Sequence, residues 1–361
     1  MSILNIMWAG GSAFASVQKV HQQILSHAVS HAPIDTWLLQ GSADGGEPAH
    51  EWKLSSARLK GRHLWKLLTP FMRARFQKAL PAELEIVLLD GIGVARVMLP
   101  VLQRVPQVRA VVVFHGATRL RRADRQLFDQ FPTGQLTLAA VSQTLAASLE
   151  RYLERPVAVL RSAFDPVAFR AAGLTREQAR SRLGLALHGA PVLGAVGRLV
   201  DGKGFGCLLE AFADVSADLP DAHLVIIGEG PARPALEACI EQLGLHGKVS
   251  LPGHLPDAAT LYRAFDWVAI PSTQEGLGLI VQEAVMAGVP VLTSELPVFR
   301  EQLGDAGWYA PSDNTQAWAH LMERAFAASA PEVAEAQSRA LAPEQAWKDF
   351  SETSQRLFSC R

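Results

Sequence analysis

Short runs of β-branched and aliphatic residues alternate with longer amphipathic stretches along almost the whole of this sequence. Continuous apolar runs are what strands covered on both faces need, and the stretches between them are long enough for crossover helices. The chain is therefore read as α/β, wound into parallel sheets. Strands are expected at 3–8, 85–89, 110–114 and 136–141, and a second series at 192–196, 223–227, 267–270 and 291–292.

The two series are separated by a stretch around 161–191, with Phe164-Asp165-Pro166 at its start, that repeats neither pattern. At 361 residues the chain exceeds the roughly 150 residues of a typical domain. Two doubly wound, Rossmann-like domains are expected: 1–165 and 166–344, with a terminal helix at 345–361 packing back on the first. Three cysteines, Cys207, Cys239 and Cys360, share no metal-ligand spacing, which argues against a disulfide framework or zinc site and fits a reducing cytoplasm. The first ten residues lack a basic leader, and no run of 18 apolar residues occurs, so neither export nor membrane spanning is expected.

A net charge of −1 conceals an asymmetry. Residues 1–165 hold 19 Lys and Arg against 12 Asp and Glu, and the remainder holds 15 against 23. The first half is thus suited to an anionic partner such as a membrane surface or a phosphorylated acceptor. No nucleic-acid motif accompanies the charge. The segment 58–80 contains Arg58, Lys60, Arg62, Lys66, Arg73, Arg75 and Lys78 but no acid, with apolar residues near helical spacing. It reads either as a membrane-facing basic helix, interrupted by Pro70, or as an ordinary helix with a solvated face.

The densest chemical signal follows the expected strand 267–270. There, Pro271-Ser272-Thr273-Gln274-Glu275-Gly276-Leu277-Gly278-Leu279 leads into a helix carrying Glu283. In an open parallel sheet, ligands bind at the carboxyl ends of strands. Gly276 and Gly278 allow close backbone approach, and the free N–H groups of a helix's first turn suit a diphosphate. Glu275 and Glu283 can each accept hydrogen bonds from sugar hydroxyls. Upstream, Gly197-Arg198-Leu199 and Lys203-Gly204 place two cations beside another strand end, where they can neutralise charge gathering on a leaving diphosphate. In the first half, Gly10-Gly11-Ser12 follows the opening strand, and His115 closes the apolar run before Gly116.

The spacing from Glu275 to Glu283 in this context resembles glycosyltransferase family 4, retaining enzymes of the GT-B fold. Gly197-Arg198-Leu199 with Lys203-Gly204, Ile227-Gly228-Glu229-Gly230-Pro231 and the stretch 291–311 stand in the family's order, and the likeness is dense over 190–312. The resemblance implies two Rossmann-like domains facing a cleft. It implies a donor held by Gly11, Gly197, Gly228, Glu229, Gly276, Leu277, Gly278, Leu279 and Glu283, and catalytic roles for His115, Arg198, Lys203 and Glu275. Ser12, Arg119, Arg122 and Ser142 are the candidate acceptor contacts; Arg119, Arg121, Arg122 and Arg125 read either as a set that binds an acceptor phosphate or as a solvated helix face. No Asp-x-Asp triplet occurs, so a metal-independent reaction without cofactor is expected, with a UDP- or GDP-linked sugar as donor.

The expected activity is transfer of a hexose-type sugar to a cell-envelope glycan or glycolipid in lipopolysaccharide core or O-antigen assembly. It would take place in the cytoplasm, peripherally on the inner face of the membrane. An epimerase on the same fold and a non-catalytic nucleotide-sugar-binding subunit are the alternatives. Release of nucleoside diphosphate with and without acceptor separates them.

Overall fold

A computed structural model describes residues 2–10, 15–28, 32–42, 50–60, 65–132, 134–186, 189 and 191–359. The chain forms two compact units, one of 1–162 with 349–361 and the other of 163–348. The first division falls a few residues before the expected 165/166 boundary. Within the first unit, Arg109 donates to the carbonyl of Ser359 at 3.0 Å and His27 meets Phe350 edge-on.

The first unit's sheet contains β1 (Ser2–Ala9), β2 (Ile34–Gln40), β3 (His50–Glu51), β4 (Leu84–Asp90), β5 (Arg109–Phe114), β6 (Leu136–Ala140) and β7 (Ala158–Val159). Every pairing is parallel, in the order β3-β2-β1-β4-β5-β6-β7. The second unit contains β8 (Val192–Val196), β9 (His223–Ile227), β10 (Val249–Gly253), β11 (Trp267–Ile270), β12 (Val291–Ser294) and β13 (Trp308–Ala310). Its order is β10-β9-β8-β11-β12-β13, again all parallel. Counted within its own unit, each sheet runs 3-2-1-4-5-6, the doubly wound order, with one extra edge strand in the first. The direction of winding therefore reverses between β1 and β4, and between β8 and β11.

Both sheets are buried on both faces, which is why their strands read as unbroken apolar runs. Ile86 to Leu89 and Val111 to Phe114 are almost wholly inaccessible, as are Leu224 to Ile227 and Trp267 to Ile270. Around the second sheet the helices Phe205–Asp218 and Thr315–Ala327 bring in Leu208, Leu209, Phe212, Trp318 and Met322. A large apolar side chain buried in this way contributes about 1.5–3 kcal/mol.

At the opposite end of the second sheet from its loops, a charged anchor fixes the start of the domain. Arg180 is 2 % exposed and donates to Asp266 and to the carbonyls of Ala264 and Ala186. Asp266 also takes the Val192 amide at 2.7 Å and Arg176 at 2.6 Å, so β8, β11 and the helix Arg176–Arg182 are tied at one carboxylate. That helix and Pro166–Ala172 occupy the stretch that fitted neither strand series.

The sequence reading missed β2, β3, β7, β10 and β13. The edge strands β3 and β7 have two residues each, too few to display any period, and exist through their neighbours' ladders. β10 contains Pro252, a residue that argues against a strand. Pro70 does not interrupt its helix, which runs through it from Trp65 to Ala79; a proline in the second turn forfeits an intrahelical bond that tertiary packing, with Phe76 fully buried, outweighs. Among the described residues, no helix is long and apolar enough to cross a membrane.

Candidate active site

Ligands in doubly wound sheets gather where the winding reverses, outside the carboxyl ends of the two strands concerned. Each unit has such a point, and each carries candidate residues there.

In the second unit the loop after β8 and the loop after β11 are stitched together. Thr273 donates its amide to the carbonyl of Gly202 at 3.0 Å, and Gly204 turns with φ +69° against Pro271. A Cβ on Gly204 would lie 2.1 Å from the Pro271 carbonyl oxygen, so only glycine permits the approach. The result is that Lys203 Nζ reaches Glu275 Oε1 at 2.5 Å, and the Ser272 hydroxyl donates to the same oxygen at 2.8 Å. Arg198, two residues beyond β8, is exposed on the same loop.

Gly278 begins the helix Leu279–Met286 at φ +77°, its α-carbon against the ring of Phe299, where a Cβ would be 2.4 Å from Cε1. The buried Gln302 amide holds the carbonyl of Leu277. The loop is thus fixed by packing from below, which leaves the first-turn amides of the helix directed to the strand ends. Glu283 lies in that helix. The hydroxyl of the fully buried Tyr262 donates to its Oε2 at 2.7 Å, and burial first, then the Glu283 charge, push the phenol well above its ordinary value. Tyr262 therefore remains a donor and orients the carboxylate.

The third loop of this unit, after β9, joins the same group. Gly228 donates to Gly253, Gly197 to Ile227 and Leu199 to Glu229, a backbone ladder continuing past the strands. Glu229 itself is held by Arg233 at 2.6 Å.

In the first unit the reversal point holds a different chemistry. Asp90 ends β4, its Oδ2 accepting the Trp8 amide at 3.0 Å, and His115 follows β5 with Nε2 3.8 Å from Asp90 Oδ1. His21, from the helix Ala15–Ser26, is buried behind them. Its Nδ1 donates to Asn5 Oδ1 at 2.7 Å, leaving Nε2 bare to accept from His115 Nε2–H at 3.0 Å. Burial pushes His115 down to about 4; burial and then the neighbouring His115 push His21 well below its usual value. Burial raises Asp90 to about 6, against the Trp8 amide. Both imidazoles are therefore neutral near pH 7.

His115 and Asp90 open into a cavity of about 1260 Å³, lined also by Trp8, Lys60, Arg73, Arg96, Arg119 and Arg121. His21, Asp90 and His115 offer ligand atoms within 4.8 Å of one another.

The structure brings Lys203 and Glu275 into contact, sets Arg198, Gly197, Gly228 and Glu229 on the neighbouring strand-end loops, and places Gly276, Leu277, Gly278, Leu279 and Glu283 around the start of one helix. Gly11 and Ser12 lie outside the described residues. Ser142 is not an open acceptor contact: it is fully buried and its oxygen caps the helix Gln143–Leu153 by accepting the Leu145 amide. Arg119 lines the cavity but Arg122 does not, and Arg125 is engaged with Glu154.

His21, Asp90, Tyr262 and Ser272 were missed. Asp90 carried the signal used for His115, a polar residue closing an apolar run. His21 and Tyr262 gave none, since one sits in a helix and the other in the short 3-10 turn Tyr262–Ala264, and only tertiary packing brings them to their partners.

The family model described as "Glycosyl transferases group 1" matches residues 190–328. A 2-deoxystreptamine glucosyltransferase of Streptomyces kanamyceticus is 32 % identical over 160 residues, covering 44 % of this chain and 41 % of that protein. The lipopolysaccharide core biosynthesis glycosyltransferase LpsE of Rhizobium meliloti is 31 % identical over 140 residues, covering 38 % and 40 %. The matched region thus spans about two fifths of these curated relatives. Among solved structures, Anabaena HepE in complex with UDP superposes with a TM-score of 0.75 at 18 % identity, covering 99 % of this chain and 98 % of that one. Residues 190–328 thus match the glycosyl transferases group 1 family model, on a chain whose two parallel-sheet units carry the GT-B glycosyltransferase fold.

Proposed function

We propose that the chain is a retaining glycosyltransferase that moves a hexose-type sugar from a nucleoside diphosphate sugar, UDP- or GDP-linked, to a cell-envelope glycan or glycolipid. The observation that carries the reading is the contact of Lys203 with Glu275 at the reversal point of the second sheet. A cation and a carboxylate are held there beside a helix start, an arrangement complementary to a diphosphate joined to a hydroxylated ring.

In this reading Glu275 accepts hydrogen bonds from the sugar's hydroxyls and Glu283, oriented by Tyr262, from the ribose. Lys203 turns from Glu275 to the diphosphate, and with Arg198 neutralises the charge that develops as the glycosidic bond breaks. The acceptor attacks from the face the diphosphate leaves, a leaving-group oxygen takes its proton, and no protein nucleophile is required. His115 is assigned to the sugar, as a neutral imidazole. Arg119 is assigned to the acceptor. Neither a metal nor a cofactor takes part, so chelator should leave the rate unchanged.

Lipopolysaccharide core or O-antigen assembly is the favoured setting, supported by the likeness to LpsE. Peripheral attachment to the inner membrane face is supported by the helix Trp65–Ala79, where Leu67 and Phe71 are 77 % and 73 % exposed beside Arg75 and Lys78. The decisive experiment measures nucleoside diphosphate release with and without an acceptor extract, and the anomeric configuration of the product. Release that never depends on acceptor, or an inverted product, would overturn the reading.

A further inference from the structure

The cavity of the first unit adjoins a second, of about 340 Å³, and three arginines line both: Arg73, Arg96 and Arg121. They come from three places in the chain. Arg73 lies on the helix Trp65–Ala79, Arg96 on the helix Gly91–Leu102, and Arg121 immediately before the helix Arg122–Asp129. Asp90 lines the far wall of the larger cavity beside His115, and the acid that lines the smaller one, Asp124, is already spent. Arg96 grips it through Nε and Nη2 at 2.7 and 2.8 Å, and its Oδ2 also takes the backbone amide of Arg121. Hydrogen bonding to Arg96 and Arg121 outweighs burial and holds the Asp124 carboxyl below its usual value, so it counts as one full negative charge.

Three guanidinium charges against one carboxylate leave a local excess. Arg73 shows its cost most clearly. Its Nε is shut off from solvent and has no hydrogen-bond partner among the described residues. Burial, and then the like charge of Arg104, lower its proton affinity, while Arg104 itself donates to Gln77 at 3.1 Å. A buried guanidinium donor without an acceptor is unfavourable, and the Arg73 side chain, which lines both cavities, sits where an anion with several oxygens would offset its charge. On the wall of the larger cavity, Lys60 and Arg119 add to the same sign. Arg73 and Arg96 carry no motif; they are brought together only by the fold.

We propose that the junction of these two cavities, where Arg73, Arg96 and Arg121 converge, binds a phosphate group carried by the acceptor. The proposal rests on the reading of the first unit as the acceptor's, and it narrows the acceptor to a phosphorylated glycan or a lipid with a phosphate headgroup. Arg73 and Arg121 supply free donors, and Arg96, fixed by Asp124, supplies a stationary charge. Planar, forked donors of this kind match phosphate oxygens in pairs.

The test uses the whole chain with Arg198→Gln and Lys203→Gln, so that the donor's diphosphate site does not contribute, and titrates inorganic phosphate and a hexose 6-phosphate against the free hexose. The phosphorylated probes should bind, more weakly as salt rises, and the free hexose should not. Adding Arg73→Gln or Arg121→Gln should weaken phosphate binding at least about tenfold, roughly the loss of one charge-assisted bond. Vesicles containing phosphatidylglycerol form a second arm: loss of vesicle binding in the same variants, without binding of the soluble probes, would assign the phosphate to a lipid headgroup.

Without ligand, Arg73→Gln should leave thermal stability unchanged or raise it, because a half-buried charge repelled by Arg104 is removed; a structural arginine would lower it. Phosphate and vesicle binding that are both indifferent to Arg73 and Arg121 would overturn the proposal. Nucleotide binding by Arg73→Gln and Arg121→Gln chains with Arg198 and Lys203 intact tests the donor site separately, so failure of one reading is distinguishable from failure of the other.

Discussion

The two units share one winding order and yet place opposite electrostatics at the corresponding point. In the second, the ends of β8 and β11 carry a partly buried ion pair, Lys203 with Glu275. In the first, the ends of β1 and β4, with β5 beside them, carry a desolvated cluster, with His21 and His115 neutral and Asp90 raised to about 6. The same backbone device, strand ends opening outward at a reversal of winding, is thus filled with a closed ion pair in one unit and with two neutral imidazoles beside a desolvated carboxyl in the other. Topology fixes where a site can form, and the side chains decide its chemistry.

The comparison can be broken first at the base of the second sheet, where charge is structural. Asp266→Ala strands Arg180 in the interior and should cost about 3–5 kcal/mol in denaturant unfolding. At the strand ends the same kind of pair should behave differently. Lys203→Gln or Glu275→Gln is expected to lower kcat about 10²–10³-fold, some 3–4 kcal/mol of transition-state stabilisation, with a smaller change in stability. A fall in stability as large as the fall in activity would make that pair another anchor.

The desolvated cluster predicts a pH signature for the first unit. His115 titrates at about 4 when folded against 6.5 when unfolded, so the unfolded chain binds more protons between those values and stability falls as pH drops through that window, by up to about 3 kcal/mol. His21 acts in the same direction. Asp90 acts in the other: folded, it binds its proton at about 6, unfolded near 3.8, so acidification from 6 toward 4 favours the fold through this group. Asp90→Asn should therefore raise stability at pH 7 and steepen the acid loss, read from thermal midpoints across pH 4–7. An unchanged slope would remove the case for a desolvated cluster.

Smaller effects sharpen the contrast. Tyr262→Phe removes one hydrogen bond to Glu283 and should raise the donor KM about tenfold with kcat nearly constant. Ser142→Ala should cost about 1 kcal/mol of stability, the value of a helix cap, and leave transfer unchanged.

Apolar runs and glycine-marked strand ends were sufficient to read both sheets' central strands and the loop from Pro271 to Glu283, because a strand buried on both faces must write its burial into consecutive residues. Glu275, Lys203 and His115 were legible for the same reason: each follows such a run by a few positions. His21, Asn5 and Tyr262 were not, since each meets its partner across a distance in sequence that no local pattern encodes. The edge strands β3 and β7 were equally silent, being too short to specify themselves. The sequence by itself determined the parallel α/β architecture and the positions of the strand-end loops, through the period of its hydrophobicity. Only the tertiary structure decided which side chains those loops would meet: it joined Lys203 to Glu275, turned Ser142 inward as a cap, and left Arg73 with a buried donor to satisfy. Contacts across elements depend on packing in three dimensions, where pairs far apart in the chain become neighbours at a cost set by burial and charge.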